Sequence, residues 1–159
     1  MEKLKIKKLT IMCITFVAFI TGCSDQFINI DQMISQNTHD NTKVLHYEFY
    51  NELLFPFYID PFIGDDKLNI GVISISDSTP KWLKGVGSVN LTPNQGFEYL
   101  LNHFEYKKEK LYVVFGTISE NKTVMIKNKS PKIISLPEGV NIWWHVDVHE
   151  ISINDIQES

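Results

Sequence analysis

Chemistry-bearing side chains are densest in Trp143-Trp144-His145-Val146-Asp147-Val148-His149-Glu150. On a strand, alternation puts Ile142, Trp144, Val146 and Val148 on one face and Trp143, His145, Asp147 and His149 on the other. Residues two apart on a strand lie about 7 Å apart and residues four apart about 13 Å. A metal ion could therefore take His145 with Asp147, or Asp147 with His149, plus ligands from a neighbouring strand. The plainer reading is a half-buried strand with a wet outer face. Elsewhere the signals are thinner. Lys84-Gly85-Val86-Gly87-Ser88 lacks the Gly-Lys-Ser/Thr ending of a phosphate loop and reads as a bulged or closely packed strand. Asp60, Asp65 and Asp66 around Gly64 miss the calcium-loop spacing and read as a solvated turn. Ser88 stands in no nucleophile elbow, His39, His46 and His103 carry no informative spacing, and no carboxylate pair stands in a motif that predicts convergence. The chain reads as non-enzymatic, with no cofactor and no assigned metal site.

The two cysteines, Cys13 and Cys23, lie at the N-terminus. Lys3, Lys5, Lys7 and Lys8 precede an apolar run from Leu9 to Ile20 that meets Ser24 and Asp25 too soon for a membrane span of about 20 residues. The run ends in Ile20-Thr21-Gly22-Cys23, which resembles the lipobox of bacterial lipoproteins. The resemblance implies that Cys23 receives a diacylglyceryl group and becomes the first residue after cleavage, its new amino group being one that the family often acylates as well. Two or more acyl chains would hold the protein firmly at the outer, extracytoplasmic face of the cell membrane, its partner through the anchor.

Removal of residues 1–22 leaves 137 of the 159 residues, with 11 lysines against 18 acids and a net charge of −7. That remainder contains no arginine, no alanine and no second cysteine. An internal disulfide is excluded, and so is a basic stripe of the kind that grips nucleic acid. No nucleic-acid partner is expected.

Three segments follow: a signal peptide over 1–22, a lipidated N-terminus and flexible tether over 23–43, and a globular domain over 44–159. Within the tether, Phe27, Ile30 and Ile34 fall at helical spacing, which leaves room for a short amphipathic turn on the membrane. The domain has the rhythm of a mainly-β fold, a β-sandwich-like antiparallel arrangement with at most one short helix. Strands are expected over 44–50, 68–76, 110–118, 123–127, 132–136, 140–148 and 150–153. In 68–76 both faces carry apolar residues, so both are expected to be partly covered. Phe97, Leu100, Leu101 and Phe104 behind Thr92-Pro93-Asn94-Gln95 favour a helix over 93–103, with a strand as the alternative. Tyr47, Phe49, Tyr50, Phe55, Phe57, Tyr58 and Phe62 crowd together as core or as a recognition face.

Trp82 with Gly85 and Gly87, Val113-Val114-Phe115-Gly116 before a Thr-Ile strand end, and Ile142-Trp143-Trp144 together resemble a group of small bacterial lipoproteins of no assigned activity, over residues 68–148. That resemblance implies no chemistry. The expectation is a lipid-anchored envelope protein acting as a non-enzymatic binding or interaction module for an envelope protein or small ligand. The alternative is a metal- or solute-binding lipoprotein using the Trp143 to Glu150 strand.

Overall fold

A computed structural model describes residues 30–76, 79–136 and 139–158. Cys13, Cys23, the lipobox and Phe27 lie outside the described residues. Among the described residues, ten strands follow one α-helix: α1 (Ile30–Asn37), β1 (Lys43–Tyr50), β2 (Leu53–Ile59), β3 (Lys67–Ser74), β4 (Lys81–Asn90), β5 (Phe97–Tyr106), β6 (Glu109–Ile118), β7 (Val124–Ile126), β8 (Lys132–Ser135), β9 (Asn141–Asp147) and β10 (Ile156–Glu158). One antiparallel sheet has the order β1-β2-β3-β4 and the other β5-β6-β9-β8, with β7 and β10 forming a separate two-stranded ribbon. The fold is mainly β and sandwich-like, as the alternating runs predict.

The main core lies between the sheets. Leu53, Phe55 and Phe57 of β2 and Leu68, Ile70 and Val72 of β3 face Leu111, Val113 and Phe115 of β6 and Ile142, Trp144 and Val146 of β9. Phe57 meets Trp144 edge-on, with ring centroids 6.1 Å apart, a geometry favoured by the ring quadrupoles. Each of these strands buries alternate residues inward, the period of two that a pleated strand imposes.

Both outer faces are also partly covered, which explains why β2 and β3 read as near-continuous apolar runs. α1 lies on the first sheet, where Met33 and Ile34 pack with Leu54 and Ile73. The β7–β10 ribbon covers the second, where Val124 and Ile126 pack with Val114, Ile118 and Trp143. The segment expected to be a flexible tether over 23–43 therefore contains a docked helix. The helical spacing at Ile30 and Ile34 reflects burial on the sheet, with Ile34 only 1 % exposed.

The helix expected over 93–103 is not formed. Thr92-Pro93 leads into a single 3-10 turn over Asn94–Gly96, which ends because Gln95 (φ 56°) and Gly96 (φ 82°) turn left-handed. Strand β5 follows, and all ten of its residues pair with β6, from Phe97 with Ile118 to Tyr106 with Glu109. Phe97, Tyr99 and Leu101 face the ribbon side, whereas Leu100 and Phe104 face the main core. Two covered faces produced apolar residues at i, i+3, i+4 and i+7 and masked the period of two. The strand expected over 150–153 is likewise displaced. Asp155 accepts hydrogen bonds from the backbone N–H (2.7 Å) and hydroxyl (2.9 Å) of Ser152, closing a 3-10 turn over Ile153–Asp155 before β10 pairs with β7.

Candidate functional site

Strand directions sort the connections to two ends of the sandwich. The register of Lys43 with Ile59, of Lys67 with Asn90 and of Ser135 with Asn141, with the cavity that joins them, places the start of β1, the β2–β3 turn, the end of β4, the end of β8 and the start of β9 at one end. A cavity of about 170 Å³ opens there, lined by Lys43, Val44, Leu45, Ile59, Leu91, Leu136 and Val140. Six of its seven lining side chains are aliphatic, and these come from both sheets. Lys43 is the single charge, and its ammonium has no hydrogen bond or ion pair among the described residues.

The same end carries an apolar tip. Phe62 is 79 % and Ile63 49 % exposed in the β2–β3 turn. Asp60, almost wholly buried, holds this turn by accepting the Phe62 N–H at 3.1 Å and lies 2.7 Å from His39 Nδ1. The His39 ring stacks on Phe62 with centroids 4.1 Å apart. The connection from α1 to β1 is thereby fixed to the β2–β3 turn beside the cavity. Behind the turn, burial and the nearby Asp60 push the Tyr58 hydroxyl up to about 12.

A second, more polar hollow of about 360 Å³ lies between α1 and β1, lined by Asp31, Ile34, Ser35, Thr42, Val44, Leu45, His46 and Tyr47. Its polar groups engage one another or their neighbours. The Tyr47 hydroxyl donates to Asp31, Thr42 bonds Thr38 at 2.9 Å, and His46 Nε2 lies 2.8 Å from Glu48. Burial, followed by the Asp31 carboxylate, pushes the Tyr47 hydroxyl well above its usual range. The polar side chains of this hollow are thus engaged in local hydrogen bonds.

The Trp143 to Glu150 cluster is divided by the fold. Trp144 and Val146 enter the main core, while Trp143 is wholly buried beneath the ribbon, so the outer face of β9 is wet only from His145 onward. Strand β9 ends at Asp147, and the chain bends back so that Asp147 Oδ1 accepts the His149 backbone N–H at 2.9 Å. The same oxygen lies 2.9 Å from His149 Nδ1, whereas Oδ2 lies 3.7 Å from His145 Nε2. The backbone bond from His149 leads in holding the Asp147 carboxyl down to about 2, against burial and with help from the His149 ring. Asp147 thus lies within ion-pair distance of both histidines. Among the described residues, no group of three His, Cys, Asp or Glu side chains is placed to hold a metal ion.

Lys84 to Ser88 lies within β4 as a packed strand. Gly87 (φ 144°) is where Leu100 of β5 comes closest, since a Cβ there would lie 3.0 Å from both of its δ carbons. Of the aromatic run, Phe55 and Phe57 fill the core, and Phe49 and Phe62 are the exposed members. Sequence reasoning missed Leu45, Ile59, Leu91, Leu136 and Val140 as a set, because the sheets join residues from distant parts of the chain. The one trace in the sequence is that Ile59, Leu91 and Leu136 each stand within two residues of a proline, at Pro61, Pro93 and Pro137. Comparisons with protein-family profiles, with curated proteins and with solved structures find no match for this chain.

Proposed function

We propose that the protein is a lipid-anchored, non-enzymatic binding module at the extracytoplasmic face of a cell membrane, and that its ligand enters the apolar mouth between the two sheets. The observation that carries the binding half is the mouth itself, a preformed aliphatic cavity with one cation at its rim. Ligand sites are typically concave and largely apolar, with few polar groups to orient the guest. The anchor rests on the resemblance of Ile20-Thr21-Gly22-Cys23 to a lipobox. Six residues lie between Cys23 and the first residue of α1, a reach of at most about 25 Å at full extension over the seven steps. The short link favours a domain held close to the headgroups.

Each half has its own test. Cys23→Ser should abolish lipid labelling and leave an uncleaved precursor; a variant still labelled and processed would contradict the anchor. A photoreactive residue at Leu136 of the lipidated protein should capture its ligand in intact cells, whereas one at exposed Ile153, outside the mouth, should not. Equal capture from both positions would contradict the mouth as the site.

A further inference from the structure

We infer that the mouth takes the alkyl end of a single-chain anionic amphiphile, of the fatty-acid type, with its headgroup on Lys43. The inference rests on the reading of the mouth as a binding site and adds the class of ligand. Apart from Lys43, the lining offers no polar side chain: Val44, Leu45, Ile59, Leu91, Leu136 and Val140 present only aliphatic carbon. A guest group needing hydrogen bonds would lose those it makes with water and find no side-chain replacement beyond Lys43, and each bond left unmade costs about 1–3 kcal/mol. An alkyl segment loses nothing and gains roughly 0.8 kcal/mol for each methylene removed from water.

Size sets the length. A volume of about 170 Å³, at about 30 Å³ for each water-sized group, admits about six such groups. The cavity therefore takes the end of a chain, and the headgroup stays at the opening. Lys43 stands there as the one charged lining residue, with its ammonium uncommitted among the described residues. In a body with a net charge of −7, anions are repelled at long range, and the Lys43 ammonium is the group that favours a negative headgroup at this opening.

The core residues named for the three clusters all lie within the described part of the chain, between Met33 and Ile151. Residues 23–159 carrying Cys23→Ser retain every one of these core residues and serve as the test protein, with hexanoate, hexanol and hexylamine as probes and methyl NMR as the readout. Hexanoate should shift the methyl signals of Val44, Leu45, Ile59, Leu91, Leu136 and Val140 saturably and bind at least about twofold more tightly than hexylamine, the scale set by an exposed ion pair. Lys43→Gln should bring the two affinities together while the mouth still fills. Val140→Trp should abolish the shifts without changing the rest of the spectrum; if that variant unfolds, Leu45→Gln tests the same loss. Mouth shifts as strong with hexylamine or hexanol as with hexanoate would overturn the anionic class and leave the binding module standing. If no probe moves the mouth methyls, the alkyl ligand is overturned, and capture from Leu136 in cells then shows separately whether the mouth is a site at all.

Discussion

Glu48 of β1 and Lys132 of β8 form an ion pair of 2.7 Å between the outer strands of the two sheets. Glu48 is only 6 % exposed, and its second oxygen lies 2.8 Å from His46 Nε2. Burial pushes its carboxyl upward, but the bonds to Lys132 and His46 outweigh this and hold it below the usual range. At the opposite seam Asn102 donates to the Val86 carbonyl at 2.6 Å, and Glu98 accepts the Asn90 N–H at 3.0 Å. The sandwich is therefore fastened along both margins, and the Glu48 to Lys132 bond holds the margin where β1 enters the mouth. Lys132→Met should cost about 1–2 kcal/mol at neutral pH, because it leaves a largely buried carboxylate short of a partner. A carboxyl depressed by folding stabilises above its unfolded value of about 4.3 and loses that contribution as the pH falls through the folded value. The stability gap between wild type and Lys132→Met should accordingly stay constant from neutral pH to about 5 and narrow below about 4. Urea unfolding at a series of pH values checks this, and a gap that widens in acid would contradict it.

Trp143 depends on Gly116. The indole stacks on Phe97 with centroids 5.5 Å apart and 4° between the planes. A Cβ on Gly116 would lie 2.8 Å from its Nε1 while overlapping the Glu98 carbonyl oxygen of the paired strand. Gly116→Ala should cost more than about 3 kcal/mol or prevent folding, since backbone on one side and a fully buried indole on the other leave no room to relax. Phe97→Leu, which removes only the ring stacking, should cost about 1 kcal/mol. Thermal and urea unfolding of the two variants give the comparison.

The glycines of β4 should separate sharply. A Cβ on Gly85 would meet only the Tyr58 hydroxyl, at 3.9 Å, and Gly85→Ala should change stability by no more than about 0.5 kcal/mol. Gly87→Ala would combine a left-handed φ with contact against Leu100 and should cost at least about 1 kcal/mol. Equal effects in unfolding experiments would contradict this account of the β4–β5 seam.

Asp147 provides a test of the competing metal site. With a folded value of about 2 against about 3.9 unfolded, its contribution is complete above about pH 4 and lost as the pH falls toward 2. Asp147→Asn should lower stability by about 1 kcal/mol above pH 4, after allowance for solvent screening, and by less in stronger acid. Zinc should leave the melting temperature of the wild type unchanged. A zinc-dependent rise that disappears in Asp147→Asn would reinstate a metal centre at this turn.

The sequence shows the sandwich most clearly where one face is core and the pattern is simple. Leu68, Ile70 and Val72 alternate inward, and Trp144 and Val146 take the face that alternation assigns them. It misleads where both faces are covered. Leu100 and Leu101 are adjacent and pack to opposite sides of β5, so their spacing imitates a helix. Ile30 and Ile34 look like a membrane-facing turn because nothing local reveals that Leu54 and Ile73 will supply the opposing surface. The mouth is the least legible feature. It joins Lys43 to Val140 across nearly a hundred residues of chain, and only the pairing of distant strands creates it. Asp147 and His149 do meet, as their spacing allows, but through a bend rather than by alternation, because β9 stops at Asp147.

The central claim is that the domain is held to a membrane through Cys23 and presents its mouth from there. The most direct measurement is the intact mass and N-terminal peptide of the protein extracted from its own membranes. The account predicts that the chain begins at Cys23 and carries a diacylglyceryl group on that residue. A chain that begins elsewhere, or a Cys23 with a free thiol, would contradict it.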